Sequence, residues 1–165
     1  MEIKMISVGK LKTKWFKRGV SEYAKRLSRF GKFRPVIVKA EPEPEPLSTA
    51  QKTKIMKIEG QRILAKIKPR DYVLALAIQG TERTSVQFAH EIKNLLTYGH
   101  PNLTFVIGGS LGLSPEVLHR ADDQLSFGRF TFPHELMRVI LAEQIYRAFM
   151  INAGSPYHKW NCKIS

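Results

Sequence analysis

Apolar and polar positions along this chain fall into blocks, and each block has the period of a strand or of a helix. Ile3 to Val8 is a short apolar run closed by Gly9 and predicts a strand. Leu11 to Phe30 carries Trp15, Phe16, Tyr23, Leu27 and Phe30 at helical spacing, so a strand–helix unit opens the chain. Pro35 to Val38 predicts a second, short strand. The stretch EPEPEP, Glu41 to Pro46, is excluded from helix, because alternating prolines remove amide donors and push their predecessors into extended backbone; it predicts a stiff loop. Ser48 with Gln51 has capping-box spacing, so a helix starts there and runs to about Lys68 through Ile55, Ile58, Ile63, Leu64 and Ile67, with Gly60 weakening its middle. Tyr72 to Ile78 is a nearly continuous apolar strand followed by Gln79-Gly80, and Ser85 to Tyr98 reads as a helix packed through Phe88, Ile92, Leu95 and Leu96.

The next strand, Leu103 to Ile107, is apolar throughout, which suits a parallel sheet covered on both faces. Ser114-Pro115-Glu116 then supplies a capping hydroxyl, a proline at the first helical position and an acid in the first turn of a short helix ending near Ala121. Leu125 to Phe127 predicts a fifth strand, and His134 to Met150 a final helix. Alternating strands and helices define an α/β fold, mostly a parallel sheet with helices on both faces. The last helix has Met137, Ile140, Leu141, Ile145, Ala148 and Phe149 on one stripe, yet Leu136, Val139 and Ala142 are apolar too. Burial on two sides follows, either between the sheet and a symmetric partner or at the centre of a single chain.

Between the fourth strand and the last helix lies the stretch most suggestive of a site. LTFVI ends in Gly108-Gly109-Ser110-Leu111-Gly112-Leu113, and in parallel sheets ligands bind beyond the carboxyl ends of the strands. Gly108, Gly109 and Gly112 let the chain turn sharply with its amides turned toward a small molecule. GGSLG is neither the G-x-G-x-x-G of dinucleotide folds nor a phosphate loop, which disfavours NAD and ATP chemistry. His90, His100, His119, His134 and His158 are scattered without metal-ligand spacing, and no G-x-S-x-G elbow appears. An uncharged, glycine-lined and aromatic-rimmed pocket without a metal is the remaining reading.

Charge adds a partner to this picture. Lys and Arg total 27 against 14 Asp and Glu in 165 residues, a formal charge of +13. Such an excess predicts an acidic partner, with nucleic acid first; the plainer alternative is a basic surface kept for solubility. The cations cluster at Lys10, Lys12, Lys14, Lys17, Arg18, Lys25, Arg26, Arg29, Lys32 and Arg34, and again at Lys52, Lys54, Lys57, Arg62, Lys66 and Lys68. A single cysteine, Cys162, excludes an internal disulfide and fits a reducing compartment. No apolar run of about 18 residues and no signal pattern occurs, so a cytoplasmic location off the membrane is expected.

The segments VIGGSLGLSP, LSFGRFTFPHELMRVILAEQIYRA and SPYHK, with ISVGKLK and EGQRILAKIKP upstream, resemble the SPOUT-class, S-adenosylmethionine-dependent ribosomal large subunit pseudouridine N3-methyltransferases. The resemblance runs to Lys159 and implies a single domain over residues 1–159 with a trefoil-knotted α/β fold. It implies a homodimer with its site at the subunit interface, and methylation of N3 of a pseudouridine in helix 69 of 23S rRNA on the assembled 70S ribosome, with no DNA partner. The family's cofactor positions fall on Leu76, Gly108, Phe127, Gly128, Arg129, Phe130, Thr131 and Phe132, the same loops as the glycine-lined pocket, which adds Gly109 and Gly112. A related methyltransferase for another RNA, and a non-enzymatic ribosome-binding factor with a vestigial pocket, are the competing readings.

Methylation at N3 requires loss of the imide proton, so a base belongs near the cofactor. His134, just after Pro133, is the candidate, against a capping or structural role. Arg138, one turn on, would hold an RNA phosphate or the base oxygens, or else pair with Glu135. Tyr157, His158 and Lys159 match the family's closing motif and would bring aromatic stacking and positive charge to the target nucleotide. The chain departs from the family in continuing through residues 160–165, an extension that either is disordered or crowds the RNA entrance.

Overall fold

The computed structural model describes residues 1–159, and the extension at 160–165, with Cys162, lies outside the described residues. Five strands form one sheet: β1 (Glu2–Val8), β2 (Lys32–Val38), β3 (Tyr72–Glu82), β4 (Asn102–Ile107) and β5 (Asp123–Ser126). Their order is β2-β1-β4-β3-β5 and every pairing is parallel. Four helices connect them, α1 (Lys14–Leu27), α2 (Thr49–Leu64), α3 (Ser85–Thr97) and α4 (Pro115–Arg120), and α5 (His134–Asn152) follows the last strand. The sheet is therefore the two-sided parallel sheet expected of an α/β chain, and its order is consistent with the implied trefoil knot.

Alternation along the strands sends side chains into two cores. Ile3, Met5, Leu74, Leu103 and Phe105 meet Val20 and Leu27 of α1, Phe88 and Ile92 of α3, and Leu141 and Ile145 of α5. On the opposite face Ile6, Val8, Val73 and Val106 meet Ile63 of α2 and Val117 of α4. The second face also buries a charge: Lys4 Nζ lies 2.5 Å from Asp71 Oδ2 and donates to the Lys66 carbonyl at 3.0 Å. Asp71 further accepts from Thr104 Oγ1 and the Lys68 amide. Burial alone would raise the Asp71 pKa, but the hydrogen bonds from Lys4, Lys68 and Thr104 hold it below the ordinary carboxylate value.

Both capping boxes form, at Ser48 with Gln51 and at Thr84 with Gln87, and Ser114 caps α4. Helices α1 and α2 are shorter than the apolar spacing predicted, and Trp15 is not core: 65 % of its surface faces solvent. Gly60 is a contact rather than a weakness, because its missing Cβ is the space in which α2 approaches Ser114. Of the apolar surplus of α5, Ala142 is buried and Val139 packs against the core, while Leu136 is only partly covered within this chain.

Candidate functional site

The carboxyl ends of β3, β4 and β5 open into a cavity of about 710 Å³. Three segments wall it. The first is the end of β3, which leaves its pairing with β5 after Leu76 and rejoins at Thr81, so that residues 77–80 arch outward and Ala77 and Ile78 reach the cavity. A sequence reading ends that strand at Ile78; the arch appears only when β5 pairs on both sides of it. Gly80 permits the arch, since a Cβ there would stand 2.7 Å from the Gln124 carbonyl oxygen.

The second wall is the glycine loop after β4. Gly112 takes φ +85°, and its amide donates to the Gly109 carbonyl at 3.0 Å, closing a tight turn. A Cβ on Gly108 would lie 2.7 Å from the Gly112 carbonyl carbon, so the two backbones touch where any side chain would stand. The third wall is the loop from β5 to α5. Ser126, buried at its base, donates from Oγ to the Ile78 carbonyl at 2.9 Å and accepts from the Gly128 amide at 3.1 Å, tying this loop to the β3 arch.

Leu76, Gly108, Gly109, Gly112, Phe127, Gly128, Phe130, Thr131 and Phe132 all line this cavity, and Arg129 alone of the expected cofactor positions does not; its side chain is exposed. Leu111, Leu113, Leu125 and Met137 complete an apolar wall. The volume lies within the range of small-molecule sites. Backbone amides beside apolar walls suit an adenosyl group and a methionine chain, so the residues present fit S-adenosylmethionine.

His134 opens α5 at the cavity's rim, half-buried. Burial holds its pKa below the ordinary imidazole value, Arg138 pushes the same way, and Glu135 and Glu43 oppose. Arg138 is 1 % exposed, and its guanidinium donates to the carbonyls of Val8 at 2.5 Å and Gly9 at 2.8 Å. It therefore ties α5 to the end of β1, and its burial in this chain does not fit an exposed phosphate ligand. The alternative pairing with Glu135 is not formed either, since Glu135 accepts instead from the Lys12 amide at 2.6 Å.

Tyr157 and His158 follow α5 and pack against its middle. The Tyr157 hydroxyl donates to Glu143 at 3.2 Å, its ring meets Tyr146 edge-on at 5.0 Å, and the Arg147 guanidinium lies 4.9 Å from its centroid. His158 Nδ1 is 3.1 Å from Arg147 Nη1. Burial and the neighbouring Glu143 charge hold the Tyr157 phenol well above its ordinary pKa, so it stays neutral. From His134 to Glu143 is nine residues of helix, roughly 14 Å of rise. One chain thus brings His134 to the loops of the cavity and leaves the closing motif apart from them.

Two residues without a role in the sequence reading, Glu59 and Glu43, belong to this region. Glu59 of α2 is 3 % exposed; its Oε2 accepts from the Glu41 amide at 3.1 Å, and its Oε1 has no hydrogen-bond partner among the described residues. That free oxygen would be 3.3 Å from a Cβ on Gly109, so the carboxyl backs the glycine loop. Burial raises the Glu59 pKa, the Glu41 amide opposes this, and the Glu43 charge adds to the rise. Glu43 in turn bonds to Ser110, so the proline-stiffened loop is strapped over the glycine loop. The spacing of EPEPEP predicted its stiffness, and nothing local in it signalled its destination.

Among the described residues no group of three or more His, Cys, Asp or Glu side chains is placed to hold a metal, and no helix is long and apolar enough to cross a membrane. Residues 1–158 match the profile of a family described as "Predicted SPOUT methyltransferase". A protein of Lactiplantibacillus plantarum named "Ribosomal RNA large subunit methyltransferase H" is 66% identical over 159 residues, which is 96% of this chain and 100% of that protein. A protein of the same name from Limosilactobacillus reuteri is 64% identical over the same shares. Among solved structures, a probable methyltransferase of Bordetella pertussis is similar with a TM-score of 0.51 and 14% identity, covering 88% of this chain and 95% of its own. A probable methylase family protein of Haemophilus influenzae gives a TM-score of 0.50 at 12% identity, over 96% of this chain and 70% of its own. At such identities these two likenesses speak to the fold alone.

Proposed function

This chain belongs to the SPOUT methyltransferase family, and from that premise we propose that it methylates N3 of a pseudouridine in helix 69 of 23S rRNA, using S-adenosylmethionine, as a cytoplasmic homodimer acting on the assembled 70S ribosome. The observation that carries the reaction is the cavity at the strand ends, where the closely apposed Gly108 and Gly112 backbones face an apolar wall with His134 at its rim. The names of the near-full-length relatives support ribosomal RNA as the substrate, and the charge of +13 agrees with it.

When bound, S-adenosylmethionine supplies a methyl group already activated by the sulfonium. Leu76, Gly108, Gly112 and the Phe127 to Phe132 loop would hold it by apolar contact and backbone hydrogen bonds. His134, kept neutral near pH 7 by its burial, accepts the N3 proton as the imide becomes nucleophilic. Tyr157 and His158 pack beside Glu143 and Arg147, more than two turns along α5 from His134, and neither lines the same chain's cavity, which supports a second copy as their source, together with Lys159. The cavity's rim favours such a partner, because Phe130 is 82 % exposed and Ile78 49 %.

The deciding experiment is transfer of labelled methyl from S-adenosylmethionine to assembled ribosomes lacking this modification, with mass spectrometry of the product nucleoside. Label on pseudouridine N3 is expected. Label on another nucleotide would replace the substrate, and cofactor binding without transfer to any RNA would leave a ribosome-binding factor.

A further inference from the structure

Helix α1 turns Val20, Tyr23 and Leu27 into the core against α5, yet its first turn holds its largest side chain out of it. Trp15 keeps 65 % of its surface in solvent, and its ring is backed by Phe16 at 4.0 Å between centroids, with the planes 36° apart. The indole is thus supported by one neighbour and still largely available to another molecule.

Its position follows from two contacts between α1 and α5. The Lys12 amide bonds to Glu135, and Gly19 meets Val139 so closely that a Cβ on the glycine would be 3.0 Å from Val139 Cγ1. Residues 12 and 19 therefore bracket Trp15 against residues 135 and 139, at the level of the first turns of the helix that His134 begins.

Along this stretch of chain the charge is of one sign, and the acid that α5 brings near it, Glu135, is bonded to the Lys12 amide. No acidic residue occurs between Glu2 and Glu22, and Lys10, Lys12, Lys14, Lys17 and Arg18 within that stretch are all exposed. A protein surface with an open indole among cations suits one occupant best: every nucleobase offers a π-face, and the cations meet the phosphates on either side. A second copy of this chain is the poorer occupant, since a two-fold contact here would bring two such cationic clusters together.

We propose that Trp15 is a stacking platform for an unpaired base of the RNA substrate, with Lys12, Lys14, Lys17 and Arg18 holding the adjoining phosphates. This rests on the reading of the chain as an RNA methyltransferase and adds a recognition surface outside the cofactor cavity.

The test compares wild type with Trp15→Phe, Trp15→Leu and Trp15→Ala in equilibrium binding to assembled 70S ribosomes lacking the modification. S-adenosylmethionine affinity and native mass are measured on each variant to establish folding and assembly. Stacking predicts that Trp15→Ala and Trp15→Leu weaken ribosome binding about 5- to 100-fold, with Trp15→Phe close to wild type and cofactor affinity and mass unchanged. Wild-type binding in Trp15→Leu would mean that apolar bulk suffices and would overturn stacking; a lower native mass would assign the indole to a second copy instead. Ribosome binding by wild type without methyl transfer would sink the proposed reaction while the variants still decide the role of Trp15. Normal methylation with identical binding by all variants would do the reverse.

Discussion

Gly60 of α2 and Ser114, the cap of α4, occupy adjoining space: a Cβ built on the glycine would collide with the Ser114 hydroxyl and stand 3.0 Å from its Cβ. Ser114 is 1 % exposed, and its oxygen accepts the Val117 amide at 3.3 Å, so it has no free direction in which to move. Alanine at position 60 gains about 1 kcal/mol of helix propensity, but overpacking costs about 1–3 kcal/mol and disturbs the cap. Gly60→Ala should therefore destabilise the fold, by a net of up to about 2 kcal/mol in a urea denaturation curve.

The glycine loop makes a comparable prediction for binding. Alanine at position 108 would place its Cβ 2.7 Å from the Gly112 carbonyl carbon and push the turn open. Gly108→Ala should weaken S-adenosylmethionine binding by about tenfold or more with an unchanged circular dichroism spectrum. Unaltered affinity in titration calorimetry would remove this loop from the cofactor site.

Arg138 donates two hydrogen bonds to buried carbonyls at the end of β1. Lysine has one compact head group and reaches one of them, leaving the other carbonyl without its donor. Arg138→Lys should lose about 1–3 kcal/mol of stability and lower turnover because the start of α5 shifts. Retained stability with lost ribosome binding would instead make Arg138 an RNA ligand.

His134 gives a pH signature. Its pKa in the folded chain is depressed, so the unfolded state takes up the proton more readily; the associated stability is complete above the ordinary imidazole pKa of about 6.5 and is lost as pH falls through the lower folded value. Turnover should show an acid limb at that depressed value, because only the neutral ring accepts a proton. His134→Ala should abolish the limb and reduce kcat by about 10²- to 10⁴-fold with ribosome affinity intact. Full turnover in the variant would assign the histidine to structure.

Asp71, paired with Lys4, gives a second pH signature. Asp71 is held below its ordinary pKa of about 3.9, so its contribution is present above that value and is lost as pH falls through the folded value. Lys4→Met should cost about 3–5 kcal/mol, since it leaves a buried carboxylate without its cation. Combining it with Asp71→Leu should restore most of the loss in urea denaturation.

The sequence was most readable where structure is local. Strand and helix periods, the Ser48 capping box and the Ser114-Pro115-Glu116 start depend on residues within a few positions of one another, and the five strands and five helices of the described residues follow from them. The second capping box, at Thr84, emerged only in the structure. The positions that the resemblance assigned to a cofactor are gathered around one cavity, except Arg129. What spacing could not supply were relations between distant segments. Glu43 meets Ser110 and Glu59 backs Gly109 only because α2 lies against the strand ends, and Trp15 has helical spacing yet points outward. Periodicity identifies an apolar residue, and packing decides which of several candidates a core has room for.

Strand β1 is paired on one side with β2, Ile3 facing Phe33, and on the other with β4, Ile3 facing Leu103. During synthesis the first partner arrives after about thirty residues, the second after about a hundred. Until Ile107 has left the ribosome's exit tunnel, an open row of β1 amides and carbonyls and the apolar side chains Ile3, Met5 and Ile6 await a neighbour that has yet to emerge. Such non-local pairing slows folding and leaves a nascent edge open to aggregation, so the chain's most vulnerable interval comes before β4 is released.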